Sequence, residues 1–401
     1  MHFPWCLAKC PYCDFVSYAT GSTGAADGGE YADAVVRELE ARARMLERDE
    51  DDGRQPPVAT VFFGGGTPSL WDARELGRVL AAVRTRLAGP LDLEVTVECN
   101  PTSIDEDRAR ALADVGVNRL SIGVQSLDDE RLRFLGRLHD AKGGARAVRA
   151  AIRAGIGRVS GDLIFGLPGQ TPEAAVAEAL ELADLGPTHL SCYQLTIESG
   201  TRFGELARRG RLPLADDGAV AESFVAIDDA LEARGFRHYE ISNYAQPGQE
   251  ARHNIAYWRG DEYLGLGCGA YGYARTGRGR GVRWRNPTVP ERYVEATRTA
   301  RVSRPTEEAA AAPLEDTLSE SIEELDAETL LRERIMLGLR MAGGLDVAAA
   351  ARDLGAPGWT AARVKTAAAL AERGRLARDG DRIWIPRTAW LWADDTASRL
   401  F

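Results

Sequence analysis

The sequence predicts an α/β protein: a partial barrel of repeated βα units followed by a small winged-helix-like C-terminal domain. Between residues 58 and 195 short apolar runs alternate with Ala-, Leu-, Glu- and Arg-rich helical stretches, the pattern of a parallel sheet with crossover helices. The runs end on turn signals, among them GGGTP after Phe63, NPTS after Cys99 and GLPGQTP after Phe165. Near the C-terminus three helical stretches precede a short strand pair.

Taken in order, strands are expected at residues 58–63, 93–99, 119–124, 158–165 and 189–195. Ser69 or Asp72 can cap the helix after the first, and Thr171-Pro172-Glu173 has the N-cap and first-turn chemistry of another. Residues 214–234 read as one more helix, after which a Tyr-, His- and Asn-rich segment and a Gly-rich run end the simple alternation. Arg275, Arg278, Arg280, Arg283 and Arg285 read as a basic, solvated turn outside the site. Residues 305–328 are acidic, lack a basic residue and carry an alanine run, so they read as a linker between a first domain, 1–304, and a second, 329–401. In the second, helices are expected over 329–341, 347–353 and 360–373 before the strand pair. Winged helices often bind DNA, but no concentrated basic recognition helix is present, so packing or protein contact is expected instead.

A chain of 401 residues can bury a substantial core and suits one large domain with an appendage. Sixty acidic against fifty basic residues leave a net charge of -10, which argues against nucleic acid as a partner. Hydrophobic residues at 44% exclude wholesale disorder. No apolar run reaches the roughly 18 residues of a membrane span, and the N-terminus has no basic n-region or apolar h-region, so the cytoplasm is the expected compartment.

Six cysteines are too few for a disulfide scaffold. Cys6, Cys10 and Cys13 stand as C-x3-C-x2-C, whereas Cys99, Cys192 and Cys268 are single and read as buried small hydrophobes. Three thiolates in one loop can each bind one iron of a cubane [4Fe-4S] cluster and leave the fourth iron open. An open iron can chelate the amino and carboxylate groups of S-adenosylmethionine. A zinc site would want a fourth Cys or His in paired spacing, and none follows Cys13.

Gly64-Gly65-Gly66-Thr67-Pro68 closes the first apolar run, where glycines let a ligand approach the backbone without meeting a Cβ. Glu98 in VECNP, Gln125 in SIGVQS, Arg137 in LGRLH and Asp162 in GDLIFGLP are polar groups at or just beyond further runs. A Glu or Asp there can accept hydrogen bonds from ribose hydroxyls, and Arg137 can pair a carboxylate.

In these motifs the chain resembles the radical S-adenosylmethionine proteins. Over almost its whole length it is similar to the oxygen-independent coproporphyrinogen III oxidase family and its haem-chaperone branch. HFPWCLAKCPYCDF, GGGTPSLW, SIGVQS, LGRLH, GDLIFGLPGQT, YEISNYA and HNIAYW match in order. The resemblance implies a partial (β/α)6 radical SAM barrel, with the cluster on Cys6, Cys10 and Cys13. It implies S-adenosylmethionine contacts from Tyr12, Gly65, Gly66, Thr67, Glu98, Gln125, Arg137 and Asp162. It also implies haem as a third cofactor and client haemoproteins, such as respiratory enzymes, as partners. Membrane-bound clients would bring the chain to the membrane periphery, and a monomer and a dimer are both compatible.

Within this family oxidases carry another cysteine two positions after the third, whereas Cys13 is followed by Asp14 and Phe15. They also lack HNxxYW, present here as His253 to Trp258. Both differences favour the chaperone over an oxidative decarboxylase of coproporphyrinogen III. Imidazole is a good axial ligand for haem iron, so His253 is the expected haem residue, with His238 and His139 next in line. Two departures stand out. Only Met1 precedes His2, which leaves either a late start or a lost first strand. The family's GPGAH reads Gly267-Cys268-Gly269-Ala270-Tyr271, so no role of that Pro and His transfers.

Overall fold

The computed structural model describes residues 1–20, 28–46, 58–87, 89–303 and 315–401. Six strands, His2–Phe3, Thr60–Gly65, Glu94–Cys99, Arg119–Gln125, Arg158–Phe165 and His189–Gln194, lie side by side and parallel in that order. The helices Gly28–Leu46, Ala73–Arg86, Glu106–Asp114, Ala141–Arg153, Pro172–Asp184 and Asp217–Ala233 follow successive strands. Asn243–Ala245 then pairs antiparallel with His189–Gln194, and Arg237–Glu240 forms the far edge of this open sheet.

Alternation along the strands explains both faces. Val95, Val97, Leu120, Ile122 and Val159 point one way and join the core beneath the helices. The intervening residues, period two along each strand, are polar: Glu94, Thr96 and Glu98, then Arg119 and Ser121, then Arg158, Ser160 and Asp162, then His189 and Ser191. The concave side of the sheet is thus a buried polar lumen. Of the two caps offered by the sequence, Asp72 is used, accepting from the Arg74 N–H at 2.8 Å, while Thr171 accepts from Ala174 with Pro172 in the first turn.

Two expectations are corrected, and one short strand is added that the sequence does not show: His2 and Phe3 pair with Gly64 and Gly65. The basic turn is a hairpin, Tyr271–Gly277 with Arg280–Arg285. The acidic linker is in part the third strand of that sheet, because Ser321–Leu325 pairs with Arg280–Arg285 and Arg283 bonds Glu323 at 3.2 Å and Glu333 at 2.7 Å. Opposite charges in register across neighbouring strands hold together two segments that each read as solvated when taken alone. Residues 305–314 of the expected linker lie outside the described residues.

The C-terminal unit has the order of a winged helix: Ala327–Gly338, Leu345–Asp346, Val347–Leu354, Ala361–Glu372, and the hairpin Ala377–Asp379 with Arg382–Trp384. In its third helix Arg363 is buried and donates to Leu400 O, Pro357 O and Gly358 O, so this cation serves packing. Arg387 bonds Asp228, Asp229 and Glu232 on the last barrel helix. Leu330, Ile335 and Leu400 share one continuous core with the barrel.

Candidate functional site

The turns after the strands bring the expected ligand residues to one place. A cavity of about 160 Å³ at the C-terminal ends of the strands is lined by Cys6, Cys10, Tyr12, Cys13, Gly65, Gly66, Thr67, Glu98, Gln125, Arg137 and Asp162. Cys6, Gly65, Glu98, Gln125 and Asp162 lie on strands, Gly66 and Thr67 directly follow one, Cys10, Tyr12 and Cys13 lie on the loop between Trp5–Cys6 and Tyr18–Ala19, and Arg137 reaches in from the loop before the Ala141–Arg153 helix.

The cysteine loop is seated by backbone bonds to the glycine turn: Gly66 N donates to Phe3 O at 2.7 Å and Thr67 N to Trp5 O at 2.8 Å. A Cβ on Gly66 would lie 2.6 Å from Trp5 O and 2.9 Å from Phe3 O. The bare α-carbon of Gly66 is therefore required by this seating. Gly65 has φ +110, and a Cβ there would meet the His2 ring at 2.6 Å.

Among the described residues no three His, Cys, Asp or Glu side chains are gathered as a single ion would need. A cubane, by contrast, takes each thiolate on a different corner, which suits three thiols sharing one cavity wall. Arg137 Nη1 donates to Cys10 Sγ at 3.4 Å and Nη2 to Gly123 O at 2.8 Å, while its buried Nε has no partner among the described residues. That N–H is an available donor for a ligand carboxylate.

The acidic residues are tuned by burial. Glu98 is pushed up to about 7 by desolvation, against the Gly65 N–H that donates to Oε2 at 3.1 Å. Desolvation also raises Asp162, against the hydroxyls of Ser121 at 2.9 Å and Ser160 at 3.0 Å. Gln125 has φ 67, the one positive value outside glycine among the described residues, at a bulge in the register with the next strand. Strain of this kind persists where surroundings over-determine it, often at functional sites. Gly123 and Ser121 belong to this site and were missed. Their signal was the two-residue alternation from Arg119 through Ser121 and Gly123 to Gln125.

His253 is not brought to this cavity. It lies on the helix Arg252–Trp258, beside Thr60 and Glu94 at the starts of two strands, about 17 Å along a six-residue strand from the glycine turn. With Phe62, Tyr257, Tyr263 and Tyr273 it lines a largely apolar cavity of about 420 Å³ that shares no lining residue with the first. Burial lowers its pKa to about 4, so the ring is neutral at ordinary pH. His238 stacks on Tyr244 at 4.0 Å and meets Trp390 edge-on, and His139 Nε2 bonds Val124 O. Cys99, Cys192 and Cys268 are buried.

An open parallel barrel with a three-cysteine loop at its strand ends defines the class of radical S-adenosylmethionine proteins, and residues 1–183 match the Radical SAM superfamily. Residues 325–392 match the HemN C-terminal domain. The chain belongs, within that class, to the HemW haem chaperone family. It is 40% identical over 303 residues to Heme chaperone HemW of Escherichia coli K12, covering 74% of this chain and 77% of that one. It is 34% identical over 394 residues to Heme chaperone HemW of Mycobacterium tuberculosis, covering 98% and 92%. The solved coproporphyrinogen III oxidase HemN of Escherichia coli superposes with a TM-score of 0.75 at 20% identity, covering 100% of this chain and 88% of that one, and so shows the fold. No helix among the described residues is long and apolar enough to cross a membrane.

Proposed function

We propose that this chain is a haem-binding chaperone that passes haem to client haemoproteins. In this reading Cys6, Cys10 and Cys13 hold a [4Fe-4S] cluster. A cluster held there would supply a one-electron donor, and the polar groups of the same cavity would hold S-adenosylmethionine beside it. Arg137 Nε pairs the ligand carboxylate, Glu98 and Asp162 accept from its hydroxyls, and Tyr12, Gly65, Gly66, Thr67 and Gln125 shape the cavity. His253 ligates haem iron as a neutral imidazole.

The observation that carries the reading is the second cavity. A half-buried neutral histidine beside three tyrosines on an apolar wall offers an axial ligand and flat surface to a porphyrin. Phe15 adds to it, an exposed ring where an oxidase would carry a further cysteine.

The test is anaerobically reconstituted protein offered haem and coproporphyrinogen III in parallel. Haem retention and transfer to an apo-haemoprotein, without protoporphyrinogen, is expected. Sustained protoporphyrinogen formation would make the chain an oxidase.

A further inference from the structure

Outside the three-cysteine cavity, the buried groups that the proposed function leaves unused converge on one short helix. Its N-cap residue, Ala251, has no side chain that could accept from the first turn. The free amides must then find acceptors elsewhere. Glu94, fully buried at the start of its strand, supplies both: Oε2 accepts from Arg252 N at 3.0 Å and Oε1 from His253 N at 2.9 Å. Arg158 pairs the same carboxylate at 2.6 Å and donates to Glu250 O at 2.5 Å. One carboxylate and one guanidinium thus fix how the helix enters and how it is rotated about its axis.

The ring is held by the neighbouring strand. Thr60 Oγ1 lies 2.9 Å from His253 Nδ1, and the imidazole stacks on Phe62 with centroids 4.8 Å apart and planes at 13°. Nε2 bonds no described residue. Neither Thr60 nor Glu94 is at a strand end of the kind where barrel ligand sites are built; both stand at the opposite end.

We propose that Thr60 and Glu94 are positioning residues for His253. Glu94 sets the helix, and Thr60 accepts from Nδ1–H, so that Nε2 carries the lone pair and is presented to the apolar cavity. A ligating histidine needs its other nitrogen engaged in this way, since the bond fixes both tautomer and ring orientation. The purpose rests on the haem reading, whereas the geometry stands without it.

The experiment uses the full haem-free chain with 15N-labelled histidine, in which two-bond proton–nitrogen correlations read the tautomer of His253. The expected result is Nε2 unprotonated in the native chain, a mixture of tautomers in Thr60→Val, and return to one tautomer in Thr60→Ser. Glu94→Gln should shift the Arg252 and His253 amide resonances. Haem titration of Thr60→Val and Glu94→Gln should then show affinity reduced about ten- to a hundredfold, with the Soret band moved. A protonated Nε2 in the native chain, or a tautomer that Thr60→Val leaves unchanged, overturns the proposal. Should the tautomers behave as expected while His253→Ala binds haem as tightly as the native chain, the haem reading fails and the positioning stands.

Discussion

Glu98 Oε2 accepts the Gly65 N–H at 3.1 Å, tying the glycine turn to a half-buried carboxyl on the cavity wall. Desolvation holds that carboxyl at about 7 against an ordinary 4.5. The folded chain therefore binds the proton more tightly than the unfolded one. The contribution is intact below about 4.5 and is lost as pH rises through about 7, by on the order of 3 kcal/mol. In the cluster-free chain Glu98→Gln should remove this loss. Denaturant unfolding at about pH 5 and about pH 8 checks it, and parallel pH dependence in the two chains would contradict it.

A methyl group on Gly123 would lie 2.6 Å from Gln125 Nε2 and 3.5 Å from Arg137 Nη2. The nearer atom is the end of a flexible side chain, so Gly123→Ala should fold while displacing the amide. S-adenosylmethionine affinity should fall roughly tenfold, about one hydrogen bond. Calorimetry showing unchanged binding would take Gln125 out of the ligand's reach.

Gly66→Val meets backbone instead, the carbonyls of Phe3 and Trp5, and these cannot step aside without unseating the cysteine loop. Reconstituted iron content should drop along with ligand affinity. A full complement of iron in this variant would refute the seating.

Arg42 is wholly buried and bonds Glu38 at 2.7 Å, Asp316 at 3.0 Å and Asn286 at 2.8 Å, with its guanidinium 4.6 Å from the Trp284 ring centre. Arg42→Met leaves two buried carboxylates unpaired and should cost about 3–5 kcal/mol. A change under about 1 kcal/mol in denaturant unfolding would show that the cluster contributes little.

Five of the barrel strands were legible as short apolar runs between helical stretches, three of them closed directly by Gly64, Asn100 or Gly166. His2–Phe3 was not, since two residues carry no periodicity. Ser321–Leu325, written SIEEL, hid as a linker because its partner Arg283 lies 40 residues away and local composition does not report pairing. In the site, Glu98, Arg137 and Asp162 could be read from the motifs VECNP, LGRLH and GDLIFGLP that hold them, and Gly123 and Ser121 only from which side of a strand they share with Gln125. The separation of His253 from Cys6, Cys10 and Cys13 was invisible in the sequence. It depends on the helix Arg252–Trp258 packing at the start of strands whose other ends carry the cysteine cavity.

Two sites on one barrel should fail independently, and paired variants measured for iron and haem test this most directly. His253→Ala is expected to keep about four irons per chain and its S-adenosylmethionine affinity, while haem binding weakens and the Soret band shifts. The triple Cys6→Ala, Cys10→Ala, Cys13→Ala chain is expected to lose the iron and still bind haem. An unchanged haem spectrum and affinity in His253→Ala would contradict the account.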